Sequence, residues 1–452
     1  MSDETRQCGW SEGDALPRRV RRSTEREEPV SEPKPKPFAI PKGMVWEAYL
    51  KVKANKGAAG VDGESIEEFE KDLKGNVYKL WNRLSSGCYF PPPVRMVEIP
   101  KPEGRGVRVL GVPTVADRVA QTVVKLYLEP DVEPKFHDDS YGYRPGRSAL
   151  DAVGKCRERC WKLDWLIDLD IQSFFDSLPW DLILKAVAHH TKERWILLYV
   201  QRWLEAPMQR ADGSLVTREC GSPQGSAISP LLANLLMHYA FDLWMARMFP
   251  GVPFERYCDD AVVHCTSKGQ AELVLHAIAK RLQECRLELH PAKTRIVYCK
   301  DANRRGSHEH MAFTFLGYEF RARRARSKQG RQFDSFSPGI SPAASKELRQ
   351  TMRYWHLNRC SDKTLGDLAQ MVNPIVRGWL NYYGRYYKSE LNQSLRLLNE
   401  HLARWARRKY KRLRRHDCRT RAFLVKVARR EPDLFVHWQH GLGPDGWVMG
   451  AV

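Results

Sequence analysis

The sequence predicts a mixed α+β fold that gives way to a helical C-terminal part, and three observations carry that reading. Short segments of alternating apolar residues, such as Trp165–Ile171 and Phe254–His264, recur between amphipathic stretches. Beyond Ser345 the pattern is helical, with Trp379, Tyr382, Tyr383, Tyr386 and Tyr387 at i, i+3, i+4, i+7 and i+8. Charge is the third: 74 Lys+Arg against 54 Asp+Glu leave a formal net charge of +20. An excess of that size repels itself and attracts a polyanion.

With 452 residues, 42% hydrophobic and 10% aromatic, the chain can build two to four domains with proper cores. It has no 18-residue apolar run and no secretion signal at its N-terminus, so a soluble, cytoplasmic protein of bacterial type with no membrane partner is expected. The 11 cysteines are scattered without a Cys-x-x-Cys pair. Cys156 and Cys160 are the closest, and reduced thiols are expected rather than a disulfide framework or a zinc site.

In chain order, residues 1–43 form a basic, Pro-rich arm, expected to be disordered. Val45, Tyr49 and Val52 mark a first helix, and a glycine-rich loop follows at residues 55–63. That loop lets backbone amides approach a phosphate but lacks the Lys-Ser/Thr ending of a P-loop. Ser65 and Glu68 form a capping box. Val94–Ile99 and Val109–Pro113 read as a hairpin with a basic tip, and Thr114 with Asp117 caps the next helix. Ser140–Ser148 carries Arg144 and Arg147 among tyrosines, a composition that favours nucleic-acid contact over the alternative of a structural turn with solvated arginines.

In Trp165–Ile171 the apolar Ile167, Leu169 and Ile171 share one face and Asp168 and Asp170 the other. Carboxylates on a strand built for a core are costly unless paired or metal-bound. Gly221–Ser226 precedes a Leu-rich helix from Pro230, leaving room for a ligand near its N-terminus. Phe254–His264 reads as two strands with Asp259 and Asp260 at the bend, which suits a solvated turn or a cation site. Phe313–Phe320 alternates as one strand. The aromatic face around Tyr382 is read as core. Residues 401–430 hold 13 Lys+Arg against the one acid Asp417, including Arg407, Arg408, Arg412 and Arg414, which favours nucleic-acid backbone binding.

Taken together, these segments resemble the group II intron-encoded reverse transcriptase/maturase family over roughly residues 44–430. Tyr257–Asp260 is similar to the family's catalytic hairpin, Asp170–Phe175 to its second catalytic strand, Pro223-Gln224-Gly225 to its nucleotide-pocket turn, and Phe315-Leu316-Gly317 to a strand near the primer. The resemblance implies a right-hand polymerase, with fingers and a palm of antiparallel sheet on helices over residues 44–335. A helical thumb/maturase domain over 336–432 and a short tail over 433–452 would follow. It also implies RNA-directed DNA synthesis together with binding of intron RNA to assist splicing and mobility.

Nucleotidyl transfer needs two divalent ions about 4 Å apart. Mg²⁺, with Mn²⁺ as a substitute, would be held by Asp170, Asp259 and Asp260. Asp168, about 6.6 Å back along its strand, is assigned a supporting or incidental role. Lys101, Arg108, Ile171, Phe175 and Gln224 are expected around the dNTP, with Phe175 excluding a ribose 2′-hydroxyl. Tyr257, Arg144, Arg147, Lys293 and Gly317 are expected at the RNA template, DNA primer or target DNA. Relatives commonly have Ala where this chain has Cys258. The chain ends at Val452 without Cys-x-x-Cys pairs, so a member lacking the endonuclease domain is expected. Two other readings stay open: a domesticated relative in DNA repair or phage defence, and an RNA-binding splicing cofactor with little polymerase activity.

Overall fold

The computed structural model describes residues 36–100, 106–327 and 329–444. Most of the N-terminal arm, the tip residue Lys101 and the last residues of the tail lie outside them. Helix α1 (Lys42–Asn55) buries Val45, Ala48, Tyr49 and Val52, a stripe at helical spacing. The capping box at Ser65 opens α2 (Ile66–Lys71), and Asp72 caps α3 (Leu73–Ser85). Strands β1 (Val94–Pro100) and β2 (Val107–Val112) pair antiparallel. The Thr114 hydroxyl accepts from Asp117 N to start α4 (Val115–Val132). The glycine-rich loop packs against this helix start: a Cβ on Gly60 would lie 2.6 Å from Thr114 Cα, and Arg118 donates to Ala58 O.

Helix α5 (Ala149–Cys160) leads into β3 (Trp165–Leu169), followed by α6 (Phe174–Ser177), α7 (Trp180–His190) and α8 (Arg194–Glu205). The two-residue strands β4 (Met208–Gln209) and β5 (Leu215–Val216) extend the β1–β2 hairpin into a sheet of order β2-β1-β4-β5. Helices α9 (Ser229–Met237) and α10 (Leu243–Met248) are joined by a π-turn at residues 238–242. Strands β6 (Phe254–Tyr257) and β7 (Asp260–Cys265), helix α11 (Lys268–Glu284) and β8 (Arg295–Tyr298) complete a central antiparallel sheet of order β6-β7-β3-β8.

Both faces of the central sheet are covered. Ile167, Leu169, Ala261 and Val263 join the large core formed with the helices, while Leu166, Val262 and Val297 join a second core with α5 and the following strands. Asp168 and Asp170 therefore share a face that is apolar farther along, and the carboxylates occupy its open end.

Strands β9 (Ala312–Phe315), β10 (Tyr318–Arg326) and β11 (Gln332–Ile340) form a third sheet. Phe313–Phe320, expected as one strand, is a hairpin instead. Leu316 and Gly317 both take positive φ (50° and 78°), which reverses the chain in two residues. The helical part comprises α12 (Pro342–Tyr354), α13 (Leu365–Tyr383), α14 (Lys388–Lys409), α15 (Asp417–Arg430) and α16 (Val436–Gln439) around a core including Val376, Leu398, Leu402 and Trp405. The aromatic face is not one helix: α13 stops at Tyr383, and Tyr387 has φ 41°. Tyr382, Tyr383 and Tyr386 still converge, with ring centroids 5.5, 5.6 and 5.7 Å from Tyr318. They seat the helical part on the β9–β10 hairpin as core, not as an exposed stacking surface.

Candidate active site

The carboxylates meet through strand register. Residues of β3 and β7 pair as Asp168 with Val262 and Leu169 with Ala261, so the next pair in that register is Asp170 with Asp260. Tyr257 pairs with Asp260 across the tight turn of Cys258 and Asp259. Cys258 takes φ 62°, the left-handed conformation that a two-residue hairpin turn requires at its first central position. Asp259 alone sits at the bend; Asp260 begins β7.

The hairpin is fastened from behind by residues the sequence reading passed over. Arg256 is fully buried and forks onto Asp242 at 2.7 and 2.6 Å. Its remaining donors reach Asn234 Oδ1, Ser140 Oγ and the carbonyl of Cys258. The loop at 139–142 lies directly on the turn: Tyr141 N donates to Arg256 O at 2.8 Å, and a Cβ on Gly142 would sit 2.5 Å from Cys258 N. Only glycine fits there. An Arg within an apolar strand beside two acids was the signal available in the sequence, but its partner Asp242 lies 14 residues earlier in a different element.

Burial dominates the electrostatics. It pushes Asp260 up to about 7, helped by Asp259, Asp168 and Asp170, and opposed by Lys293. Asp168 is raised to about 6 by burial despite Arg295, whose Nε donates to it at 3.1 Å across β8. Asp259 is also raised, by burial and then by Asp170, with Arg108 opposing. Lys293 Nζ donates to both oxygens of Asp170 at 3.2 and 3.1 Å. Buried carboxylates that face one another form a donor set that a hard divalent cation relieves, so Asp259 and Asp260, with Asp170 beside them, fit such an ion. Asp168 also acts on Asp260 and is paired with Arg295, as Asp170 is with Lys293.

Five residues after Asp170, Phe175 is half-buried against the core to which its neighbour Phe174 fully belongs. Ser222 N donates to Phe175 O at 2.7 Å, and Gly111 N donates to Gln224 O at 2.7 Å, so the Pro223–Gly225 turn is tied to α6 and to β2. Below the turn, Gln121 Oε1 accepts from Ser226 Oγ and Ala227 N. Gln121 is itself held by Asp117, which also accepts from Tyr89 and Trp203. A cleft of about 230 Å³ is lined by Val109, Asp176, Met208, Arg218, Pro223 and Gln224. A larger cavity of about 560 Å³, lined by Leu182, Leu236, Leu243 and Trp244, holds none of these carboxylates.

The other expected residues divide. Arg108 is exposed on β2 near Asp259, and Tyr257 packs against the exposed Tyr143 ring at 5.9 Å. Ile171 is buried, its side chain in the core, and forms a β-bridge with Leu289. Arg147 pairs with Asp138 at 3.0 Å. Arg144 is a correction: its guanidinium is buried, paired with Glu133 and donating to the carbonyls of His137 and Ser140. It braces the loop and offers nothing to RNA. Gly317 lies under the Tyr383 hydroxyl. Arg408, Arg412 and Arg414 are exposed, whereas Arg407 pairs with Asp417.

Residues 99–320 match the family described as reverse transcriptase (RNA-dependent DNA polymerase), and residues 345–423 match the group II intron, maturase-specific domain. The chain is 29% identical over 318 aligned residues to Protein YkfC of Escherichia coli, covering 60% of this chain and 79% of that protein. It is 30% identical over 197 residues to the group II intron-encoded protein LtrA of Lactococcus lactis, covering 43% of this chain but only 32% of LtrA. Among the described residues no helix is long and apolar enough to cross a membrane. With a reverse transcriptase segment that carries the carboxylate hairpin and a maturase-specific segment after it, the chain belongs to the group II intron reverse transcriptase/maturase family.

Proposed function

We propose that this protein is an RNA-directed DNA polymerase that extends a DNA primer on an RNA template and also binds its intron RNA to assist splicing. The observation that supports this best is the meeting of Asp170, Asp259 and Asp260 from two strands and a turn at the open end of the central sheet. Asp170, Asp259 and Asp260 would hold two Mg²⁺ ions, with Mn²⁺ as a substitute. When bound, the metal supplies activation of the primer hydroxyl and neutralisation of charge at the triphosphate.

The rest is positioning. The central sheet acts as the palm, the β1–β2 hairpin as part of the fingers, and α12–α15 as the thumb/maturase region. Arg108 offers its guanidinium to the triphosphate near Asp259, and Lys101 at the hairpin tip is assigned the same role. Gln224 and the Ile171 backbone frame the base and sugar. Phe175, fixed by its carbonyl bond to Ser222, blocks a 2′-hydroxyl. Lys293, which donates to both oxygens of Asp170, would be free for a primer phosphate if a cation took its place on that carboxylate. Tyr257, Arg147 and Gly317 line the path of template and primer, and the exposed arginines of α14–α15 bind RNA backbone.

Primer extension by the purified chain with Mg²⁺, dNTPs and an RNA template tests the polymerase reading. Wild-type protein extends, and Asp259→Ala does not, while its binding to intron RNA stays near wild type. Retained synthesis in Asp259→Ala would remove this site from contention.

A further inference from the structure

On the face of the central sheet that α5 covers, four side chains from distant parts of the sequence come together. Cys156 and Cys160 lie one turn apart on α5 with Sγ atoms 4.0 Å from each other. The β3–β7 register sets His264 opposite Leu166 on the same face, and Cys299 follows the end of β8, its N–H bonded to Asp164 O at 2.8 Å. Cys160 is the hub: its thiol meets that of Cys156, and Cys299 and His264 are its electrostatic neighbours. All four residues are buried, His264 to 1% exposure.

The imidazole is held in an unusual way. His264 Nε2 lies 2.6 Å from Glu255 Oε2, while its Nδ1, also buried, has no hydrogen-bond partner. With Nε2 engaged by the carboxylate, Nδ1 is the ring nitrogen left to face the thiols. A buried ring nitrogen without a partner is costly, whether it holds a proton or a lone pair. A carboxylate fixing one ring nitrogen while the other faces thiols is the arrangement that orients a metal-binding histidine. Glu255 is held in turn by Arg159, which also pairs with Asp139 at 2.7 Å. Arg304 Nη1 donates to the carbonyls of both Cys160 and Cys299 at 2.7 Å, clamping the two cysteine-bearing segments together.

We propose that Cys156, Cys160, Cys299 and His264 Nδ1 form a Cys₃His site for a soft divalent metal ion, zinc above all, with Glu255 orienting the imidazole. Two sulfurs at about 2.3 Å from a tetrahedral zinc are about 3.8 Å apart, close to the separation of Cys156 and Cys160. Ligand atoms of Cys156, His264 and Glu255 already lie within 4.8 Å of one another. Glu255 spends its oxygens on Arg159 and His264, so it supports from outside. Sulfur and nitrogen donors select against the hard cations suited to Asp170, Asp259 and Asp260. Ligation turns three thiols into thiolates and releases their protons to solvent. The ion would tie α5 to β7 and β8 and so stiffen the sheet that carries the catalytic hairpin.

The test uses the full chain, kept reduced, stripped with a chelator, then titrated separately with Zn²⁺ and Co²⁺. The expected result is about one tightly held zinc per chain, with a dissociation constant below about 1 μM. Cobalt should give a thiolate-to-metal charge-transfer band, which cobalt on the aspartates alone cannot produce. Cys160→Ser should lose that band, whereas Cys418→Ser, at an exposed thiol, should keep it. If Cys160→Ser fails to fold, X-ray absorption of the zinc-loaded wild type decides: a shell of sulfur at about 2.3 Å with one nitrogen supports the site. A chain that takes up no tight zinc, or whose cobalt spectrum lacks the thiolate band, overturns it.

Discussion

Asp260 is an acid that the fold makes reluctant to ionise, and this has a sign that can be measured. Its folded pKa of about 7 lies above the ordinary 3.8, so the native state binds the proton more tightly than the unfolded chain. That contribution to stability is fully present below about pH 4 and is lost as pH rises through 7. Asp168, raised to about 6, adds in the same direction. The metal-free chain should therefore lose stability between about pH 4 and 7, and Mg²⁺ should restore it progressively toward neutral pH. Thermal melts with and without Mg²⁺ across that range are the check; a Mg²⁺ increment that does not grow with pH contradicts the assignment. Asp117, also raised to about 6, titrates in both series and cancels between them. At Phe175, substitution by Ala should increase ribonucleotide incorporation, and the structure sharpens that expectation because Phe174 is committed to the core. Constant discrimination would move the gate elsewhere. Arg256→Met leaves Asp242 buried and unpaired, which should cost about 3–5 kcal/mol in chemical denaturation.

Two elements carry tight turns that do different jobs. The turn at Cys258 and Asp259 presents a carboxylate, and the one at Leu316 and Gly317 presents a docking surface for α13. Tyr382 donates to Leu316 O at 2.7 Å, and Tyr318 donates to Tyr382 O. Gly317→Ala would force a side chain into positive φ and against the Tyr383 hydroxyl, 2.9 Å from the new Cβ. A loss of about 1–3 kcal/mol is expected from melting or denaturant curves. In α14–α15 and the turn between them, neutralising Arg407, Arg408, Arg412 and Arg414 together should flatten the salt dependence of RNA binding. Each phosphate that is no longer neutralised takes about 0.7–0.9 from the slope of log K against log salt. Because Arg407 is occupied by Asp417, a fall nearer three phosphates than four is expected. An unchanged slope means this surface faces elsewhere.

Across the whole molecule, the sequence disclosed what depends on local period and missed what depends on long-range closure. Strand alternation placed Asp168 and Asp170 on one face and located the β1–β2 hairpin and the capped helices, because period and caps are short-range properties. It could not show that Phe313–Phe320 folds back on itself, since its alternation persists through the turn and only φ at Leu316 and Gly317 distinguishes the two. Nor could it distinguish Arg144, spent on Glu133 and carbonyls, from Arg147 three residues on. The Cys156–Cys160–His264–Cys299 cluster was invisible for the same reason, its members joined by sheet register and not by spacing.

The turn at Pro223–Gly225 has one more consequence, in time rather than space. Its neighbours hold it through the amides of Gly111, Ser222 and Ala227, bonded respectively to Gln224, Phe175 and Gln121. These come from three elements, yet none can break alone without loosening the same short loop. In deuterated solvent the three amides should exchange slowly and at similar rates, as one cooperative opening. If the turn frames a nucleotide as proposed, the lifetime of that closed state, rather than the shape of the cleft alone, would set how long the nucleotide is held before it is either used or lost.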